Sequence, residues 1–226
     1  MKGRKPTRRE MKEDAFVTFV FRASDFIKEN STKVIAGVAL AVIVGVASAY
    51  ILTSRRAADE EAGRQLLAGM LQQRMENYEA AAAAYEDVLS RFSGTATGKI
   101  ALLYLGHARY GMKDYDAAAE AYERYLKREK KDRLTRSQAM RGLAACMEST
   151  GRYEEAAAAY EETARTLDAD SAAPEDLMAA ARCLRLAGNP QGAMSLLQEI
   201  VDSHSDFQEI DKAKVLLAEL EYGTSK

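Results

Sequence analysis

Cysteine, histidine, proline and tryptophan are scarce in this 226-residue chain: two, two, three and none. The cysteines, Cys146 and Cys183, form neither a disulfide framework nor a zinc pattern, and no cysteine closes the apolar stretch where a lipid-modified one would stand. The histidines, His107 and His204, lie far apart, and no His-Glu-x-x-His pair or Gly-x-Ser-x-Gly elbow occurs. The nearest approach to a phosphate loop is SGTATGKI (Ser93–Ile100). It places three residues between Gly94 and Gly98 where the motif needs four, and Ile100 stands where a hydroxyl would hold magnesium. We therefore expect no catalytic residue, no cofactor and no metal, and the chain reads as a non-enzyme.

What is present is 47% hydrophobic and 29% charged residues, enough for an ordered protein with a sizeable core. Charge is divided unevenly. Residues 1–33 carry nine Lys/Arg against five Asp/Glu, whereas residues 53–226 carry 23 basic against 29 acidic side chains. A basic head on an acidic body argues against nucleic acid as a partner and suits a head lying near anionic lipid. The basic run KREKKDR (Lys127–Arg133) reads as a solvated turn.

Three stretches organise the body: ENYEAAAAAYEDVL, KDYDAAAEAYERYL and GRYEEAAAAYEETA. Each brackets small residues between tyrosines seven apart, Tyr78/Tyr85, Tyr115/Tyr122 and Tyr153/Tyr160. Seven residues make two helical turns, so the rings share a face, and alanine lets a neighbouring helix approach. Nine residues before the first tyrosine stands a small residue, Gly69, Gly106 or Ala144; a fourth copy places Ala181, Gly188, Pro190 and Ala193 in register. The register points 78, 115, 153 and 190 lie 37, 38 and 37 apart. This pattern resembles the tetratricopeptide repeat, a helix–turn–helix unit of about 34 residues. The extra residues would lengthen the connections between units or the adjoining helix ends.

Helix punctuation fits the register. Gly151 and Gly188 stand where a first helix should end in a left-handed cap, and Pro174 and Pro190 where a helix should begin. DFQE offers Asp206 as N-cap with Glu209 three residues on, opening a final helix over 208–221. The expected fold is all-α: a tetratricopeptide-repeat solenoid of four helix pairs plus a C-terminal capping helix, following an N-terminal amphipathic helix and a single transmembrane helix. The repeats fall at about 62–93, 99–132, 137–170 and 174–205 within a domain spanning 57–222. Each cysteine follows the small residue of its repeat by two, and equivalent positions on stacked helices lie about 8–10 Å apart, too far for a disulfide. Both are expected to be buried and unbonded.

The remaining stretch is VIAGVALAVIVGVASAYIL, residues 34–52, nineteen residues without a charge. As a helix it is about 28 Å long, close to the hydrocarbon thickness of a bilayer. Ala47-Ser48-Ala49 would satisfy a signal peptidase, but 33 polar-rich residues precede the stretch, the apolar run continues through Leu52, and no helix breaker precedes the site. We read a retained anchor. The excess of basic residues before it places residues 1–33 in the cytoplasm and the repeats across the membrane. Gly37, Ala41, Gly45 and Ala49 form a small-residue stripe on which another transmembrane helix could pack. Upstream, Phe16, Phe19, Val20, Ala23, Phe26 and Ile27 recur at helical spacing, as in an amphipathic helix at the cytoplasmic face. Between Ser31 and about Met75 only Gly63 and Gly69 interrupt helical character, so the span is expected to run straight into the first repeat.

A short basic head, one uncleaved span and an exported repeat array together resemble the bacterial ancillary translocon-subunit (YfgM-like) family. YEDVLSRFSGTATGKIALLYLG is also similar to the linker of periplasmic tetratricopeptide proteins such as the cell-division coordinator, with Phe92 and Ser93 for its Tyr-Pro and Gly98 for its Ala. The resemblance implies an inner-membrane protein that binds exported proteins, or a translocon or envelope complex, in the manner of a chaperone-like adaptor. By register, a groove lined by first helices would display Arg74, His107, Tyr110, Arg141, Glu148, Met178, Arg182 and Arg185. It lacks the paired Lys/Asn arrangement that grips a C-terminal carboxylate. Two alternatives stay open: an assembly subunit that oligomerises or joins a complex through its span, and a cytosol-facing receptor like the anchored mitochondrial import receptors.

Overall fold

All four register points begin a helix. In the computed structural model, which describes residues 28–166 and 173–224 together with 18 and 21, Tyr78, Tyr115, Tyr153 and Pro190 are each the first residue of the second helix of a pair. The helices are α1 (Ser31–Arg74), α2 (Tyr78–Phe92), α3 (Ala96–Gly111), α4 (Tyr115–Arg128), α5 (Arg133–Ser149), α6 (Tyr153–Thr166), α7 (Ala173–Leu186), α8 (Pro190–Ser203) and α9 (Ile210–Thr224). Among the described residues there is no strand. The amphipathic positions Phe16, Phe19, Val20, Ala23, Phe26 and Ile27 lie outside them.

The chain divides into two units, Met1–Arg56 and Ala57–Lys226. In the first, α1 carries the apolar stretch with Ile35, Leu40, Ile43 and Val46 all exposed. It is the one helix among the described residues long and apolar enough to cross a membrane, and none of its apolar window is buried in the protein. Helix α1 continues unbroken through Arg74, as the lack of breakers predicts.

In the second unit each helix from α2 onward packs on the next, and α3 also on α5. Small residues make the close approaches. The alanines three after each register point, Ala81, Ala118, Ala156 and Ala193, are all fully buried. The two tyrosines of each pair have separate roles. Tyr85, Tyr122 and Tyr160 are buried, whereas Tyr78, Tyr115 and Tyr153 are half-exposed. The buried ring lies against the small residue of its own repeat: a Cβ on Gly69 would stand 2.5 Å from the Tyr85 ring, and one on Gly106 2.5 Å from that of Tyr122. The first ring instead covers the next repeat, Tyr78 lying against Gly111.

The turn inside each pair is always three residues long, 75–77, 112–114, 150–152 and 187–189. Its middle residue is left-handed every time: Glu76 (φ 59°), Lys113 (φ 63°), Gly151 (φ 78°) and Gly188 (φ 79°). The same hydrogen bonds close all four. Asn77, Asp114, Arg152 and Asn189 each donate the backbone N–H to the carbonyl five residues back, and the left-handed residue donates to the carbonyl three back. This is the Schellman arrangement, which satisfies carbonyls that a helix end leaves open. Connections between pairs differ, with three residues (93–95) after α2 and four (129–132) after α4.

Two expectations need correction. Asp206 does not cap the last helix; it sits in a turn, and α9 begins at Ile210, where Glu209 accepts the N–H of Ala213. The intervening residues bring the apolar Phe207 into the core, which displaces the helix start. Nor is the KREKKDR turn wholly solvated. Its Glu129 is only 7% exposed and accepts the backbone N–H groups of Lys131 and Asp132. The carboxyl is held down to about 2 by its bond to Lys99 and by those two amides. The SGTATGKI stretch is a helix start, with Thr95 Oγ1 accepting the N–H of Gly98 and Asp59 accepting that of Thr97.

Candidate functional site

First helices and the capping helix form one face, and hollows lie between its members. The first, about 260 Å³, falls between α1 and α3 and is lined by Met70, Gln73, Arg74, Tyr78 and Tyr104. The second, about 290 Å³, falls between α3 and α5, where His107, Tyr110 and Tyr122 face Gln138, Arg141 and Ala145. The third, about 380 Å³, falls between α7 and α9 and includes Met178, Arg182, Arg185, Phe207, Lys212 and Leu216.

Aromatic rings run along the first two hollows. Tyr85 and Tyr104 have centroids 5.8 Å apart, Tyr104 and His107 meet edge to face at 5.8 Å, and His107 lies 5.6 Å from Tyr122. Edge-to-face and tilted pairs at these distances stabilise the aromatic arrangement beyond simple burial. Burial holds the His107 imidazole below its ordinary pKa, so it is neutral near pH 7. Tyr110 is fixed by a ring contact with Tyr115 at 5.3 Å and a hydroxyl hydrogen bond with Ser149. This part of the face is a polarisable, weakly charged surface built from rigid rings.

The α5–α7 junction is crossed by two ion pairs. Arg141 donates twice to Asp176, at 2.5 and 2.7 Å, and Arg182 twice to Glu148, at 2.8 and 2.9 Å. Both are two-pronged guanidinium–carboxylate pairs, the geometry in which such bonds are strongest. Asp176 is 1% exposed, and Tyr160 donates its hydroxyl to Glu148 as well. The Arg182 guanidinium holds the Glu148 carboxyl below the ordinary carboxylate range.

The structure therefore distributes the eight sequence-derived groove residues as follows. Arg74 edges the first hollow, His107, Tyr110 and Arg141 the second, and Met178, Arg182 and Arg185 the third. Glu148 lies at the ion-paired junction, and Arg141, Glu148 and Arg182 are engaged by charges of the protein itself rather than left open. Sequence reasoning missed Asp176, Tyr104 and Phe207. Asp176 had a readable signal, since each ion pair joins opposite charges about one repeat apart, 35 and 34 residues. Tyr104 and Phe207 stand outside the repeat's tyrosine register and had none.

Along the apolar part of α1, Gly37, Ala41, Gly45 and Ala49 are exposed, and no atom lies within 4 Å of where a Cβ on Gly37 or Gly45 would stand. Cys146 and Cys183 are free and buried, and burial pushes each thiol up to about 11. Among the described residues no group of three or more His, Cys, Asp or Glu is placed to hold a metal.

Residues 66–132 and 103–174 match the tetratricopeptide repeat family. No curated protein is similar to the sequence at a significant level. Among solved structures, the apo form of RapI is 16% identical with a TM-score of 0.63, covering 73% of this chain, which spans 64% of RapI's own. A kinesin light chain with tetratricopeptide-like repeats from Podosopora anserina is 16% identical at a TM-score of 0.62, covering 74% of this chain and 88% of that one. A double mutant of MamA from RS-1 is 14% identical at a TM-score of 0.53, covering 72% and 96%. At such identities the likeness is one of fold. Residues 66–174 thus match tetratricopeptide repeats, and the fold is a solenoid of that type, an architecture that typically serves as a non-enzymatic scaffold for protein–protein interaction.

Proposed function

We propose that these tetratricopeptide repeats are a membrane-anchored protein-binding scaffold, a chaperone-like adaptor of the bacterial envelope that receives segments of exported proteins or of a translocon or envelope complex. One observation carries the reading: hollows recur between α1 and α3 and between α3 and α5, rimmed by half-exposed rings and single charges. Rigid aromatic surface gives binding area at low conformational cost, and scattered polar groups tolerate varied sequence. The site uses no cofactor and performs no catalysis.

The membrane part of the reading rests on α1. An exposed apolar helical segment of this length has no stable place in water, whereas a bilayer covers it. The basic head then lies on the cytoplasmic side against anionic lipid, with the repeats outside the inner membrane. The open faces of Gly37 and Gly45 are available to the span of a partner or a second copy.

Photo-crosslinking side chains at Gln138 and Arg74, in the second and first hollows, are expected to capture exported chains in cells, while one at the exposed Glu123 on α4 captures none. Equal capture from all three positions, or none from any, overturns the groove. Protease added to spheroplasts is expected to digest the repeats; their survival would assign them to the cytosol.

A further inference from the structure

The hollow between α7 and α9 differs in kind from the aromatic pair. At about 380 Å³ it reaches the size of ordinary ligand sites, and its wall is apolar, with Met178, Leu197, Phe207, Leu216 and Leu220. Charge surrounds the mouth in a definite order. Arg182 is held by Glu148, and Lys212 by Glu209 at 3.0 Å. Arg185, exposed in the last turn of α7, and Glu175, exposed in its first, form no ion pair among the described residues. Ten residues of helix set these two charges about 15 Å apart. An occupant lying along α7 thus meets an unneutralised cation at one end and a carboxylate at the other. The Arg141–Asp176 and Arg182–Glu148 pairs stand between this hollow and the one at α3–α5, so the two are separate sites.

We propose that the α7–α9 hollow is a docking pocket for an acidic segment of another protein. One bulky apolar side chain of that segment enters the wall of Met178, Phe207 and Leu216, and a carboxylate beside it meets Arg185. Glu175 repels acid at the opposite end, so the acidic residues lie on one side of the apolar anchor. Residues 53–226 are net acidic, and general attraction would favour basic partners; a preference for acid must come from this mouth. The proposal rests on the reading of the repeats as protein-binding.

The test uses the full chain in vesicles of zwitterionic lipid, titrated with short synthetic peptides bearing one tryptophan flanked on one side by glutamates or by lysines. The protein contains no tryptophan, so indole emission reports the peptide alone, with protein-free vesicles as blank. The glutamate peptide is expected to bind with blue-shifted emission and to be displaced by a copy with phenylalanine for tryptophan, but not by one with alanine there. Arg185→Glu should weaken it about three- to tenfold and favour the lysine peptide instead, and Glu175→Gln should tighten it. Equal affinity for both peptides, indifference to Arg185→Glu, or no binding at all overturns the proposal. Loss of binding in Tyr110→Ala with Arg185→Glu unaffected also overturns it, because the occupied hollow is then the aromatic one. That last result leaves the protein-binding reading standing, and capture at Gln138 judges that reading separately.

Discussion

At the scale of the residue, the two left-handed side chains mark where sequence and structure part. Gly151 and Gly188 announce their turns, because glycine takes positive φ without steric cost. Glu76 and Lys113 occupy the same conformation with a Cβ, and no local pattern reveals it. The reason is energetic. A left-handed L-residue costs on the order of 1–2 kcal/mol, a sum that two Schellman hydrogen bonds and the packed helices on either side can offset. Lys113→Gly should therefore stabilise the protein by about 0.5–1 kcal/mol despite the added freedom of the unfolded chain, and Gly151→Ala should destabilise it by about 1 kcal/mol. Chemical denaturation of both variants checks the sign, and a loss of stability in Lys113→Gly would refute the argument. The tyrosines, by contrast, were legible as markers because every one of Tyr78, Tyr115 and Tyr153 opens a helix. Their unequal burial was not, since it depends on which neighbouring repeat each ring meets.

At the scale of the element, α5 and α7 are held by more than their apolar seam. Each pair unites charges about one repeat apart, so residues that register alone presents as open groove are committed within the fold. Register assigns a residue to a helix face but not to a partner one repeat away, so the engagement of Arg141, Glu148 and Arg182 was not legible from position alone. Asp176 is buried, and removing its partner leaves a carboxylate without compensation. Arg141→Ala should cost about 3 kcal/mol, and replacing both partners by Met and Leu should cost less than that single change. Thermal melts of the two variants decide it; a double variant no better than the single one would count against the pair as a closed unit. Punctuation at α9 was misread for a related reason. Asp206 and Glu209 have the right spacing for a cap, but burial of Phe207 between them governs where the helix starts.

At the scale of the whole molecule, packing is almost entirely between neighbours in sequence, as in other stacked-repeat architectures. Stability then accumulates from one interface to the next rather than from a single core. Helix α9 covers Leu197 and closes the last pair, so ending the chain after His204 should loosen α7 and α8 while α3 and α4 keep their protection. Hydrogen exchange read helix by helix would show this, and uniform loss along the array would indicate one cooperative unit instead. The four inner turns carry a last consequence. They are spelled Met-Glu-Asn, Met-Lys-Asp, Thr-Gly-Arg and Ala-Gly-Asn, with no letter common to all, yet they share one length, one handedness and one bonding scheme. What is inherited from unit to unit is a joint, not a word. Spelling is free to drift at these places for solubility or for contacts on the outside, while the gauge between the two helices of each pair stays constant.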